Sequence, residues 1–324
     1  MSDLLDRLKP LVLCISLFLP VSAWAASELN NSDAAILINR MVAAAKQADF
    51  QGTFMHQHGD STETFRIVHV GSELLEIERR ESLDGPRREY VRKGDQISIY
   101  LPSKRPVSLD RRFSSKLFPQ HLPETAEAVL LNYKLKKLGM ERVAGLNAQV
   151  FELEPRDVFR FPMRLWMHTD SGLILKSERL GPYSQPVELF VFSNLVLGKF
   201  DRALLNPVNP LRPVVVESNQ GVASSPVEPL WQIEHLPRGF RFLKSIQRTL
   251  LGKEMPVVQH LYSDGLVTVS VFLEPAVAEV KEAASHQSAM HMYVRQIDGK
   301  MVTVLGEVPA DAVKAFAYAF NPRK

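Results

Sequence analysis

The chain has 324 residues, a formal net charge of +3 at pH 7 and a single cysteine. Such a balanced charge excludes a global field that would steer nucleic acid, and one cysteine excludes an internal disulfide framework or a Cys-based zinc site. With 45% apolar residues the chain can hold a sizeable core, most readily as two domains.

Residues 1–25 read as an export signal. Arg7 and Lys9 precede "LVLCISLFLPV", Leu11 to Val21, which carries no charge. That run is well short of the ~20 residues of a membrane-spanning helix. Small Ala23 and Ala25 then mark cleavage between Ala25 and Ala26. Cys14 lies inside the apolar run, so the exported chain has no thiolate nucleophile, and a soluble periplasmic protein is expected.

"SDAAILINRMVAAAKQA", 32–48, predicts a helix capped by Ser32, with Leu37, Ile38, Met41, Val42 and Ala45 on its apolar face. After Gly52 the pattern changes to short alternating runs: "TETFRIVHV", "DQISIYL", a hairpin turned at Thr169 to Gly172, and "QPVELFVFSNLVL". A second helix is predicted in "PETAEAVLLNY", starting at Pro123. The sum is an antiparallel sheet of about nine to eleven strands with few helices.

In "VELFVF", Val187, Leu189 and Val191 face one way and Phe190 and Phe192 the other. Both faces must then be covered, by ordinary sandwich packing or by curvature around a lipid cavity. Residues 207–229 hold five prolines among Gly, Asn and Ser, the composition of a linker. It separates 26–206 from a smaller unit, 230–324. There Val267, Val269, Val271 and Leu273 alternate along one strand, "GKMVTVLGEV" predicts another, and a helix from Pro309 carries the stripe Val313, Phe316, Ala317 and Phe320.

"DGPRREYVRKGD", 84–95, concentrates four bases. Alternation puts Arg88, Tyr90 and Arg92 on one face and Arg87, Glu89 and Val91 on the other, so solvated charge on a sheet is expected rather than a phosphate site. The doublets Arg79-Arg80, Lys104-Arg105, Arg111-Arg112 and Lys136-Lys137 would bind an anionic glycolipid or acidic segment only if they converge. Nucleophile elbow, P-loop, dinucleotide fingerprint and zincin motif are all absent, and no enzyme, cofactor or catalytic residue is expected. His56 and His58, with His69, form the one metal-like cluster. Half-buried sheet histidines explain them better than zinc.

Three stretches, "LDGPRREYVRKGDQISIY", "HLPRGF" and "LYSDGLVTVSV", with the ending "YVRQIDGKMVTVLGEVPADAVKAFA", resemble the RseB/MucB family. The resemblance spans the exported chain. It implies an α+β protein: a large N-terminal antiparallel open half-barrel with helices on its concave side, similar to lipoprotein carriers, and a smaller C-terminal sheet domain with one packed helix. It further implies a periplasmic negative regulator of envelope stress that binds the periplasmic domain of a membrane anti-sigma factor of RseA/MucA type. The regulator shields that domain from the first protease until lipopolysaccharide or lipid releases it; in alginate producers release favours exopolysaccharide synthesis. A homo-oligomer is also plausible on this resemblance. Expected lipid-cavity residues are Phe54, Phe65, Ile67, Leu189 and Phe192, and expected partner contacts are Arg238, Phe240, Tyr262 and Asp264, although Asp264 and Gly265 are equally explained by shaping a hairpin. The alternative is a periplasmic lipid or lipoprotein carrier, against which the second domain argues. A hydrolase lacks any visible nucleophile and base.

Overall fold

The computed structural model describes residues 27–71, 76–94, 96–100, 118–123, 125–208, 214–216, 231–248, 257–276 and 279–322. The export signal with Ala25 and Ala26, the doublets Lys104-Arg105 and Arg111-Arg112, and much of 207–229 lie outside these. No described helix is long and apolar enough to cross a membrane.

The chain opens with β1 (Ser27–Glu28) and α1 (Asn31–Gln47), followed by β2 (Phe50–His58), β3 (Ser61–Val70), β4 (Ile77–Ser82), β5 (Glu89–Lys93) and β6 (Gln96–Tyr100). After α2 (Ala126–Leu130) come β7 (Tyr133–Val143), β8 (Leu146–Pro155), β9 (Met163–His168), β10 (Ile174–Leu180) and β11 (Pro186–Leu197). A 3-10 turn, Arg202–Leu205, precedes β12 (Val214–Val216). All twelve strands form one antiparallel sheet ordered β1-β7-β8-β9-β10-β11-β2-β3-β4-β5-β6-β12. The count exceeds the predicted nine to eleven because each edge gains a very short strand: β1 on β7, and β12, from the predicted linker, on β6.

Helix α1 is capped by Asn30, not Ser32: the Asn30 side chain accepts a hydrogen bond from the Asp33 amide at 2.9 Å. A cap must stand outside the first turn, and here the helix begins one residue before Ser32. Its buried face, Ala34, Ile38, Met41, Ala44 and Ala45, lies against the sheet. Helix α2 covers only the middle of its predicted span. The sheet curls around both helices, and its inner face contributes Phe50, Phe54, Phe65, Ile67, Leu153, Leu165 and Phe192 to a continuous core.

The smaller domain holds β13 (Trp231–Ile233), β14 (Arg241–Arg248), β15 (Val257–Ser263), β16 (Thr268–Pro275), β17 (Ala283–Gln287), β18 (Met290–Ile297), β19 (Lys300–Gly306), α3 (Ala310–Ala319) and β20 (Phe320–Pro322). Six strands form a sheet ordered β14-β15-β16-β19-β18-β17, and β13 pairs with β20 apart from it. Helix α3 lies across one face of the sheet. The predicted stripe Val313, Phe316, Ala317 and Phe320 is fully buried against Val269, Val271, Val302 and Val304. The architecture is α+β: an open, curled sheet around two helices, and a second sheet with one helix.

Candidate functional site

Register settles which side chains share the interior of the large sheet. Phe192 lies opposite Phe54, and Phe54 opposite Phe65. The Phe54 and Phe65 rings stack at 5.3 Å, and Phe118 meets Phe192 at 5.0 Å and Phe190 at 5.4 Å. Four of the five expected cavity residues, Phe54, Phe65, Ile67 and Phe192, therefore meet inside, but they fill the space themselves. Leu189 stands on the opposite face, opposite Gln57, and is half-buried. Strand parity separates it from Phe192, and Phe190 takes the inner position.

Between α1 and the 119–122 segment only about 10 Å³ is left, room for a single water. On the other side of α1 an open groove of about 460 Å³ is lined by the apolar Leu29, Leu37, Phe151 and Met167, by the bases Arg40 and Lys137 and by one acid, Asp33. Arg40 is anchored there, donating to the Thr169 and Asp170 carbonyls at 2.6 and 2.7 Å.

The inner face of β4 and β5 is charged. Glu78 lies opposite Arg92, and Arg80 opposite Tyr90, in line with the aromatic rows of β2 and β3. Arg80 bonds Glu78 at 2.5 Å and stands over the Phe54 ring; Arg92 and Gln120 donate to Glu76, and His69 approaches Glu76 at 2.8 Å. Burial raises the Glu76 carboxyl, but the His69 and Arg92 bonds outweigh it and hold it down at about 2. His69, Glu76 and Glu78 have the spacing of a metal set, yet Arg80 and Arg92 already neutralise the carboxylates. A buried cation there would meet fixed positive charge.

On the outer face, Arg79 bonds Glu81 and Glu89, and Arg87 joins the same two acids. The 3-10 turn covers this cluster: Leu204 accepts from Arg79 and the Val208 amide donates to Glu89. Around 84–95 the charge is largely solvated as expected, with Asp84, Arg87 and Lys93 exposed and Arg88 and Arg92 half-buried, but the neighbouring strand β4 departs from that picture. Alternation splits the bases as predicted, but acids on neighbouring strands pair them, and Arg79, Arg80, Glu78, Glu81 and Glu89 are buried. The doublet Arg79-Arg80 offers no phosphate site.

Two arginines join the domains. Arg160, in the β8–β9 connection, is fully buried and donates through Nε to Asp264 Oδ2 at 2.6 Å. It also bonds Asp157 and the Arg238 carbonyl, and lies 4.6 Å from the Phe240 ring centroid. The Tyr133 hydroxyl donates to the same Asp264 oxygen at 3.3 Å. The other oxygen, Oδ1, accepts from the Leu266 and Val267 amides at 2.9 Å, so one carboxylate both shapes the β15–β16 turn and ties it to the large domain. Gly239, at φ +83°, is required by contact as well as conformation: a Cβ there would lie 1.9 Å from the Asn132 side-chain oxygen.

The second tie is Arg179 on β10. It bonds Glu188 at 3.2 Å and Glu307 of the smaller domain at 3.1 Å. His56 sits 3.1 Å from Glu188 and His58 3.3 Å from Glu307, so the predicted histidine pair belongs to this ion cluster rather than to a metal. Burial raises the Glu188 carboxyl, and Arg179 and the two histidines outweigh it, holding it at about 2. His121 lies close by, beside the Phe118 and Phe190 rings at 6.0 and 6.5 Å, with neither ring nitrogen partnered among the described residues. Burial drives it down to about 4.

These groups set an acid dependence of one sign. A histidine lowered from 6.5 to about 4 and a carboxyl lowered from 4.5 to about 2 both bind fewer protons folded than unfolded. Stability is then lost as pH falls from 6.5, first through His121 and below 4.5 through Glu188. A thermal melt series over this range is expected to show a falling Tm, with His121→Phe flattening the upper part. A Tm that does not move between pH 6.5 and 4.5 would contradict the assignment.

The expected partner residues all lie at or beside this seam. Phe240, Tyr262 and Asp264 are buried, and Arg238 has an exposed side chain but a carbonyl held by Arg160.

The model of the MucB/RseB N-terminal domain matches residues 33–214, and that of the MucB/RseB C-terminal domain residues 225–321. The chain belongs to the MucB/RseB family. It is 31% identical to the sigma factor AlgU regulatory protein MucB of Pseudomonas aeruginosa, over 93% of this chain and 95% of that one. It is 24% identical to the sigma-E factor regulatory protein RseB of Escherichia coli K12, over 96% and 97%. Among solved structures, the Pseudomonas aeruginosa MucA/MucB complex gives a TM-score of 0.75 at 32% identity, covering 90% of this chain and 99% of that chain. MucB in complex with MucA(peri) gives 0.71 at 30%, with the same coverage, and a crystal structure of MucB gives 0.63 at 31%, over 90% and 98%.

Membership in the MucB/RseB family makes the chain a regulatory protein rather than an enzyme. It also accounts for a site built of packing and ion pairs. What sequence reasoning missed here are Tyr133, Arg160, Arg179, Glu188 and Glu307. The available signal was a charge inside an apolar strand run, Glu188 in "VELFVF"; Arg179 follows Lys176, Ser177 and Glu178 and reads as surface charge.

Proposed function

We propose that this chain is a periplasmic negative regulator of an envelope-stress response. It binds the periplasmic domain of a transmembrane anti-sigma factor and shields it from the first regulatory protease. Lipopolysaccharide or another lipid releases it. The observation that carries this reading is the match of nearly the whole chain, both domains together, to MucB in complex with MucA. The TM-scores are 0.75 and 0.71 to the two complexes with MucA and 0.63 to the crystal structure of MucB. The match to the complexes supports the joined arrangement of the domains, held by Arg160 and Arg179, as the partner-binding one. Support for lipid release comes from the groove beside α1, whose apolar lining and bases Arg40 and Lys137 suit an acyl chain with an anionic head.

The test is calorimetric titration of the exported chain, 26–324, with the periplasmic domain of its anti-sigma factor, repeated with lipopolysaccharide present. Saturable binding that lipopolysaccharide weakens is expected, and linkage then requires the partner to weaken lipopolysaccharide binding by the same factor. Lipid binding without partner binding would replace this reading with the carrier.

A further inference from the structure

The six-stranded sheet ends on β14, and among the described residues no strand pairs with its outer side. Open edges are ordinarily shortened, charged or covered, because they present unpaired backbone groups to any other chain. Here the edge carries Phe242 and Leu243, 54% and 56% exposed. The register shifts between Phe242 and Lys244, and this bulge turns two consecutive apolar side chains outward.

Directly behind Phe242 lie two buried polar atoms with no partner among the described residues, the Tyr262 hydroxyl and His260 Nε2. Phe242 meets Tyr262 edge-on at 5.6 Å and His260 at 6.1 Å. Tyr262 is 1% exposed, and burial pushes its hydroxyl up to about 12, so it stays a proton donor. Buried polar groups without a protein partner are rare in native proteins and call for an explanation. Charge selects among partners for this edge. Residues 231–248 hold Arg238, Arg241, Lys244 and Arg248 against the single acid Glu234, so a second copy of this chain would meet its own positive charge.

We propose that β14 is the docking edge for an extended segment of a partner protein, acidic and apolar in alternation. The segment adds as a strand beside Arg241–Ser245, seats an apolar side chain against Phe242, and gives the Tyr262 hydroxyl an acceptor. This rests on the reading of the chain as a partner-binding regulator.

The experiment uses the exported chain and, as probe, the periplasmic domain of its anti-sigma factor, with affinity by calorimetry and amide exchange along β14. Phe242→Ser and Arg241→Glu, both at exposed positions, are expected to weaken binding about tenfold or more, and β14 amides to slow on binding. Tyr262→Phe is expected to raise the Tm of the free chain and still weaken binding; a purely internal role would raise Tm and leave affinity alone. Wild-type binding with all three variants within about twofold and β14 exchange unchanged overturns the docking edge. Full protection of β14 in the free chain also overturns it, and gives the edge to residues 217–230. Failure of the wild-type chain to bind overturns the regulator reading itself.

Discussion

Asp264→Ala is expected to be among the most destabilising single changes in this protein, costing about 3–5 kcal/mol, because it takes from Arg160 its one fully buried counter-charge and leaves only the partly exposed Asp157 to balance it. Arg160 has no solvent to turn to: its side chain and that of Asp264 are both 0% exposed. The same change also frees the Leu266 and Val267 amides and the Tyr133 hydroxyl, so turn and seam are loosened together. Denaturant unfolding measures the loss, and the partner titration measures its consequence. If the joined arrangement is the binding one, affinity falls with the seam. Arg160→Met with Asp264→Leu, which removes both charges of the pair, should recover the part of the loss that comes from the buried charge but not the part that comes from the turn amides, since replacing a buried pair by apolar groups is often neutral. A loss below about 1 kcal/mol for Asp264→Ala would mean that the two domains are not held by this pair in solution.

Phe54→Ala is the second large effect. The ring is 2% exposed and lies among Phe65, Phe118, Phe190 and Phe192 beneath α1. Its removal should cost about 3–5 kcal/mol and open a cavity the backbone cannot close. The variant also separates two uses of the interior. An interior that serves only as core loses stability on truncation and gains no lipid affinity. If acyl chains enter here when the segment around Phe118 moves, the enlarged space should raise lipid affinity while stability falls. Denaturant melts and fatty-acid displacement on the same preparation distinguish these outcomes.

Much of this fold was legible because its elements obey local rules. Val267, Val269, Val271 and Leu273 alternate in the sequence and are the buried positions of the strand; Val313, Phe316, Ala317 and Phe320 step at helical spacing and are buried against it. Asp264-Gly265 reads as a turn and is one, with Gly265 at φ +102°. The large sheet's inner face was only partly legible. Phe54, Phe65 and Phe192 fit a hydrophobic interior, whereas Glu78, Arg80 and Arg92 on the same face look like surface charge until their register is known. Strand parity already assigned Leu189 and Phe192 to opposite faces, so grouping them in one cavity conflicted with the chain's own alternation.

The seam was not legible for a different reason. Arg160 meets Asp264 across 104 residues and Arg179 meets Glu307 across 128, and no spacing rule spans such distances. The strand β12 escaped notice because proline-rich composition outweighs a three-residue run of valine, though pairing with β6 needs nothing more.

If the chain guards an anti-sigma factor from proteolysis, as proposed, a cleavage time course shows it. The anti-sigma factor's periplasmic domain would be incubated with the first regulatory protease, with and without saturating 26–324, and then with lipopolysaccharide added. The account predicts slow cleavage in the presence of the chain, restored by lipopolysaccharide, with Asp264→Ala giving weaker protection. Cleavage at an unchanged rate while the partner is demonstrably bound would contradict it.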